Sequence, residues 1–542
     1  MTIKKTIIEV LESKRTFYLL ISTWIFVIIF SNIILPPAPD DGWYFMVSMG
    51  FLYKFQIGQY AGDEFRLAFA VLPTFMVIQG LFCHLMSLLH IAINCYTYRL
   101  FKMLLILMLL LATFYLIKII KQRSNKNYLI YCNMFMVILS ITPFAQMCWA
   151  VRPEVLGLFF ILCGLIFYCK WEFCQKKSNV FFLICAIFLG LSMTVSPNFT
   201  LVAGILISFI IYKNIREGFI FKSFLFCLVA SVPVLIVVWW FMAHYPESIL
   251  EFMVSVGTKK PTFGGGFIAL FKHAFMFMLG GKLTSIEIVY VYYWLPLVFL
   301  LVAVPILVLK NKKMYNQNIV YLLSGVLYFS IILHLSIIAG TDSYFTIISF
   351  FVVLLFTINL KLESTILKKM SINRGLLPVL LISLILTISS YSIIHSIKFL
   401  FSEKQYYYAP NTRSAVLNQL KSDDILFLNN YVLNPSFLEL YAMQFRGISD
   451  IKIYEVMPIH FSYYPEKGDR FLINKLTHIL PEKTIWGTEK NRLIYNNGNS
   501  KIKMRLHKYI DRGLKYVNFD NIEIVYEDKD YIFFRPESIS VS

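Results

Sequence analysis

Between Thr16 and Pro39 the chain carries no charged residue. About 20 apolar residues in a row cross the hydrocarbon core of a bilayer. Inside lipid every backbone N–H and C=O must be satisfied within the segment, so such a run has to be a helix. Comparable runs recur along the chain at 17–35, 102–120, 128–149, 155–168, 180–195, 199–212 and 223–242. Further ones end near Lys310, cover 319–338, end near Lys361 and cover 376–396. The pattern predicts eleven membrane spans. Composition agrees: 58% of the 542 residues are hydrophobic and only 15% are charged, with a mean hydropathy of +0.67. That excludes an ordinary soluble enzyme.

The charge is unevenly placed. Up to residue 402 there are 31 Lys+Arg against 14 Asp+Glu; from 403 onward there are 19 against 17. The excess sits in alternate loops, for example Lys118, Lys121, Arg123 and Lys126, then Lys170, Lys176 and Lys177, then Lys310, Lys312 and Lys313, then Lys361, Lys368 and Lys369. Basic loops stay on the cytoplasmic side. The charge is therefore read as orienting the spans, not as a nucleic-acid surface. The N-terminus is expected inside and the tail after residue 402 outside. The first span is long and lacks a small-residue cleavage site, so it is expected to be an anchor and not a cleaved signal. All nine Cys fall between Cys83 and Cys227, mostly within apolar runs, and suggest no disulfide framework.

Two stretches depart from the simple alternation. Residues 36–101 carry Lys54, Asp63, Glu64, Arg66, His84 and His90, with Leu81, Leu85, Leu88 and Leu89 at helical spacing. They are expected to form a large outer loop of surface helices. The tail, 403–542, reads as strands and helices: a turn and strand at 422–428, a helix at 435–443, a strand at 451–454, and a hairpin of 521–526 with 531–535 around Glu527-Asp528-Lys529-Asp530.

The candidate chemistry gathers at outer span ends. Pro36-Pro37-Ala38-Pro39 stops the first helix, and Asp40-Asp41-Gly42-Trp43-Tyr44 follows. Adjacent carboxylates resist double ionisation, which suits one of them to take a proton. The plainer alternative is an N-cap pair, since carboxylates also suit a helix N-terminus. Arg152 and Glu154 flank Pro153 in the short turn before the fourth span. Charges bordering apolar spans are costly unless they pair or bind something. The loop 257–266 places Lys259 and Lys260 beside Gly257, Gly264, Gly265 and Gly266. Lysines beside exposed backbone amides suit a phosphate, although the Gly-Lys-Ser/Thr ending of a nucleotide-binding loop is missing. Lys54 and Arg66 suit a phosphate or a lipid headgroup equally. The nine His form no metal-ligand spacing. No cofactor is expected, with a divalent metal left open.

Taken together, Asp40-Asp41 with Gly42-Trp43-Tyr44, the surface-helix loop to Arg99, the Arg152-Pro153-Glu154 turn and the outer tail resemble the GT-C superfamily of membrane glycosyltransferases. Its members include protein mannosyltransferases, lipid A aminoarabinose transferases and the glucosyltransferases that decorate O-antigen. The resemblance implies an all-α polytopic membrane domain over 1–402, of about eleven transmembrane helices, with a soluble C-terminal α/β domain over 403–542. It implies a sugar donor linked to a polyprenyl phosphate, a cell-envelope glycan or lipid-linked acceptor, and a bacterial inner membrane. Asp40 or Asp41 would be the general base on the acceptor hydroxyl, which attacks the anomeric carbon in one inverting displacement. Arg152, Glu154, Lys54, Arg66, Lys259, Lys260 and Tyr44 would bind the substrates. A positioned carboxylate activates a weak nucleophile, and basic residues stabilise the phosphate as it departs.

Two other classes compete. An O-antigen polymerase or ligase of different fold would rely on Arg and His in late outer loops. A transporter or lipid flippase would show broken helices or mid-span polar residues in two matching halves. Here the charges cluster at span ends.

Overall fold

The computed structural model describes residues 4–34, 48, 73–91, 95–123, 127–142, 144, 153–173, 178–195, 197–244, 299–307, 324–329, 342–360, 371–373, 380–386, 415–421, 423–429, 452–455, 480–496, 501–505 and 516–541. The chain forms two compact units. One holds Met1–Leu35, Lys102–His244 and Val256–Phe399; the other holds Pro36–Phe101, Tyr245–Ser255 and Leu400–Ser542.

The first unit is helical. A short strand β1 (Lys4–Thr6) and helix α1 (Ile7–Leu11) lead into α2 (Lys14–Ile34). After α3 (Pro73–Leu88), which belongs to the other unit, come α4 (Cys95–Arg123, in this unit from Lys102 on), α5 (Tyr128–Ser140), α6 (Pro153–Phe173), α7 (Asn179–Val195), α8 (Pro197–Arg216), α9 (Ile220–His244) and α10 (Asp342–Asn359). β1 pairs antiparallel with β2 (Ser371–Asn373). Among the described residues, five helices have a stretch long and apolar enough to cross a membrane: α2, α4, α6, α8 and α9.

α2 and α4 to α10 fall on apolar runs, but several ends differ from those the sequence predicts. α4 starts at Cys95, not at 102, because Arg99 and Lys102 are buried within it. Arg99, assigned to the outer loop in sequence, and Lys102, the expected first residue of the span, both lie inside the protein, where both side chains have partners. α5 stops at Ser140 although the apolar run continues to 149; the Ile141 N–H turns back to the Ile138 carbonyl and the Thr142 N–H to that of Leu139. Pro143 explains the stop, since the residue before a proline avoids helical geometry. α8 begins at Pro197, within the expected 196–198 turn, and proline at the first helical position is favoured.

Packing ranks helices that composition cannot. Of the most apolar window of α6, 78% is buried, against 17% for α9. α6 is central, while α9 shows Phe221, Phe224, Leu235, Ile236 and Trp239 to its surroundings, as a lipid-facing helix does. At the N-terminal end, Asn133 on α5 donates to the Leu11 carbonyl at 2.7 Å. The indole of Trp24 on α2 donates to the Met136 carbonyl at 3.1 Å. Lys121 on α4 donates to the Ile358 carbonyl on α10 at 2.6 Å and lies 3.7 Å over the Tyr131 ring. Lys213 on α8 pairs with Glu172 on α6 at 2.7 Å.

Small residues set the closest approaches, as is usual where apolar helices gain little from excluding lipid. A side chain at Gly190 of α7 would run into the Ala230 carbonyl of α9. Backbone cannot give way cheaply there. Gly190→Ala is expected to cost roughly 1–3 kcal/mol, read as a lower unfolding temperature of the purified protein in detergent. An unchanged temperature would show that α7 and α9 are not held this close.

In the second unit, α3 (Pro73–Leu88) buries Phe75, Met76, Gln79, Cys83 and Met86. Leu81, Leu85, Leu88 and Leu89 lie exposed, a surface helix as the spacing predicts. Ser48 donates to Gln79 Oε1 at 2.6 Å. Among the described residues the tail forms one mixed sheet of seven strands: β3 (Ile425–Leu428), β4 (Lys452–Glu455), β5 (Thr484–Glu489), β6 (Leu493–Asn496), β7 (Lys501–Arg505), β8 (Tyr516–Glu527) and β9 (Tyr531–Val541). Their order is β4-β3-β5-β9-β8-β7-β6. β3 runs parallel to both β4 and β5, and the remaining pairs are antiparallel. The expected hairpin is β8–β9, longer than the sequence suggests. The expected helix at 435–443 lies outside the described residues.

One face of the sheet builds an aromatic core from Phe427, Trp486, Phe519 and Phe534 with Ile502, Met504 and Val517. Phe427 stacks on Trp486 with ring centres 4.5 Å apart. Asn429 donates to the Arg505 carbonyl at 3.0 Å and to Thr488 Oγ1 at 3.1 Å. Arg505 ends β7, which is three places from β5 in the strand order, so the sheet must curl around its core. Asp424 just before β3 makes a two-bond pair with Arg535 of β9 at 2.9 and 3.0 Å, and Arg535 also donates to the Glu482 carbonyl. Asp424 is 3% exposed, so losing its partner strands a buried charge. Arg535→Met is expected to destabilise the tail by roughly 3 kcal/mol, read as faster proteolysis between 425 and 541. Protease resistance equal to the unaltered protein would reduce the pair to a surface contact.

Candidate functional site

Glu154 is the one candidate side chain among the described residues. Pro153 opens α6 with its φ already fixed and no N–H to satisfy. That places Glu154 in the first turn, where the helix dipole favours a carboxylate. It is nonetheless only 4% exposed. A buried carboxylate needs a partner, and Glu154 has one. One turn on, Gly157 leaves room for the Phe199 ring near the start of α8; any side chain there would collide with it. The starts of α6 and α8 are thereby held together. α7, which joins them, ends on the same side.

Buried polar side chains also lie at the ends of α2, α5 and α7. Ser31 and Asn32 lie in the last turn of α2, Ser140 and Thr142 at the end of α5, and Ser192 and Thr194 at the end of α7; all six are buried. The hydroxyls donate back to their own helices: Ser31 to Ile28, Ser140 to Val137, Thr142 to Leu139, Ser192 to Leu189 and Thr194 to Leu191. Asn32 donates to the Ile28 carbonyl at 2.7 Å. A hydroxyl satisfied as a donor keeps lone pairs for an incoming hydroxyl or amide. The sequence analysis did not single out these six, although polar residues do recur at the ends of α2, α5 and α7. Short polar residues inside apolar runs are unremarkable one at a time.

Asp40, Asp41, Tyr44, Lys54, Arg66, Arg152, Lys259 and Lys260 lie outside the described residues. Arg152 is one residue before Pro153 in the chain, and Asp40 is six after the end of α2. Among the described residues no group of three or more His, Cys, Asp and Glu could hold a metal ion.

No family model matches the sequence, and no curated protein matches it. Solved structures do. ArnT from Cupriavidus metallidurans bound to undecaprenyl phosphate superposes with a TM-score of 0.60 at 10% identity, over 95% of this chain and 97% of that one. The apo form of the same protein gives 0.44 over the same shares at the same identity. ArnT is a GT-C glycosyltransferase.

The chain has the GT-C fold.

The polytopic helical domain and the C-terminal sheet domain are both parts of that fold. The GT-C architecture makes the chain an integral membrane protein, in keeping with its apolar helices.

Proposed function

We propose that this protein moves a sugar from a polyprenyl-phosphate donor to a cell-envelope glycan or glycolipid at the outer face of a bacterial inner membrane. The observation that carries the reading is the fold likeness along 95% of the chain to ArnT with undecaprenyl phosphate bound. The acidic pair behind the first span and the buried Glu154 beside Arg152 support it.

The reaction is a single inverting displacement. Asp40 or Asp41 takes the proton of the acceptor hydroxyl as its oxygen attacks the anomeric carbon. The bond from that carbon to the phosphate oxygen breaks, and the polyprenyl phosphate leaves as an anion. Arg152, Lys54, Arg66, Lys259 and Lys260 stabilise that charge. Glu154 orients Arg152 or an acceptor hydroxyl, and Tyr44 lines the substrate. The catalytic domain is 1–402, the tail 403–542 is a second domain, the N-terminus is cytoplasmic and the tail lies outside. A reporter or thiol label placed at Asn499 is expected to be accessible from outside; cytoplasmic labelling would remove the shared outer face on which the site depends.

The direct test is transfer from radiolabelled polyprenyl-phosphate hexose and pentose donors, using the full chain in vesicles with envelope glycolipid. Label is expected to move to the acceptor as polyprenyl phosphate is released. Donor that crosses the bilayer with no transfer would make the protein a flippase.

A further inference from the structure

In the last turn of α6 a lysine is held on aromatic rings from three helices. The Lys170 ammonium lies 4.9 Å over the Tyr115 ring of α4, 5.6 Å over Phe167 of α6 and 5.7 Å over Phe181 of α7. One turn beyond Tyr115 on α4, Lys118 lies 5.6 Å over the Tyr128 ring. A cation within about 6 Å of a ring centre is attracted to its face. The rings fix both ammoniums but do not neutralise them. Among the described residues neither lysine is in a salt bridge. No Asp or Glu occurs on α4 or α7. Glu172, two residues after Lys170, is engaged by Lys213 at 2.7 Å, and Glu217 by the same lysine at 3.5 Å.

Apolar surface runs up to these charges. α4 exposes Leu104, Met108, Leu111 and Tyr115, which are four and three residues apart and so share one face. At 1.5 Å per residue that stripe is about 16 Å long, the hydrocarbon depth of one leaflet. α7 exposes Val180, beside Phe181, and Ile187 two turns on. Lys170 therefore sits between a lipid-facing stripe of α4 and one of α7, at the end where α4 and α6 stop and α7 starts.

We propose that this outer face of the bundle binds one anionic phospholipid of the cytoplasmic leaflet, its phosphate between Lys118 and Lys170 and its acyl chains along the α4 stripe. Two cations without a counter-charge on the protein take one from the headgroup layer. A zwitterionic lipid brings its own ammonium to that place, whereas a lipid of net negative charge does not. The leaflet rests on the orientation proposed above. The bound lipid does not rest on transfer activity, so the two can fail separately.

The test uses the full chain, delipidated in mild detergent and titrated with dioleoylphosphatidylglycerol or dioleoylphosphatidylcholine, with bound lipid counted by native mass spectrometry. One phosphatidylglycerol is expected to be retained more tightly than phosphatidylcholine. A lysine at a membrane surface is worth about fivefold toward an anionic lipid. Lys118→Gln and Lys170→Gln are each expected to weaken phosphatidylglycerol by about that factor, and together by about 25-fold, with phosphatidylcholine unchanged. Lys118→Arg with Lys170→Arg keeps both charges and is expected to keep the preference. Lys222 on α9 also lies over a ring, that of Phe219 at 4.8 Å, but outside this face; Lys222→Gln is expected to change nothing. The single variants carry the test if the double one does not accumulate. Equal retention of the two lipids overturns the proposal, and so does an unweakened phosphatidylglycerol in the Gln variants. An equal loss in Lys222→Gln overturns it too, since the attraction would then be diffuse. Displacement of phosphatidylglycerol by undecaprenyl phosphate at equal concentration would give the site to the donor lipid and likewise overturn it.

Discussion

Asparagine in place of Asp40 or of Asp41 is expected to lower sugar transfer by on the order of 10²–10⁴-fold in one of the two variants, with normal protein abundance. Asparagine keeps the shape and the hydrogen-bonding oxygen but cannot take a proton. A positional role would survive the change and a general-base role would not. Two neighbouring carboxylates do not share the task equally, because once one is ionised the other is harder to ionise. The losses should therefore be unequal. The variant with the larger loss should regain part of its rate as pH is raised, since a stronger base in solution can then take the proton. Both variants transferring at the unaltered rate, in membranes of matched abundance, would make the pair an N-cap and nothing more.

Arg152→Ala is expected to lower transfer by on the order of 10²–10³-fold, the usual loss when one donor to a developing anion is removed. The buried position of Glu154, 4% exposed in the first turn of α6, makes the reason testable. If Arg152 and Glu154 serve only each other, exchanging them restores both charges in the same short turn. The exchanged protein, Arg152→Glu with Glu154→Arg, should then be active. If Arg152 holds the donor phosphate, the exchange puts a carboxylate where the phosphate must sit. The protein then accumulates but does not transfer. Arg152→Lys separates the cases further. It keeps the charge and loses the two-pronged guanidinium, so the donor KM should rise more than kcat falls. An active exchanged protein would assign the pair to structure and withdraw Arg152 from the donor site.

The positions of the spans were legible in sequence for a physical reason. The hydrocarbon core has a fixed thickness, and charge is excluded from it residue by residue, so apolar runs and basic loops mark the helices locally. α3 was legible too, because Leu81, Leu85, Leu88 and Leu89 recur at the helical period. The failures came where a charge or a proline acts through its neighbours. Arg99 is inside α4 because the folded protein, not water, surrounds it. α5 stops early because of Pro143.

What the sequence by itself determined is a membrane protein of many helices joined by alternate basic loops, with an acidic pair behind its first span and a strand-rich tail. Only the tertiary structure decided which helices are central. α6 and α9 are both apolar on every side, and lipid and protein interior are equally apolar, so composition does not reveal which one is buried. The close approaches at Gly157 and Gly190 exist only against Phe199 and Ala230. The tail shows the same division. Its β8–β9 hairpin was visible because its turn is local. The parallel placing of β3 between β4 and β5, and the curl that brings Arg505 to Asn429, depend on contacts between residues far apart in the chain. No local propensity encodes a pairing of that range; it is fixed by which faces can bury one aromatic core together.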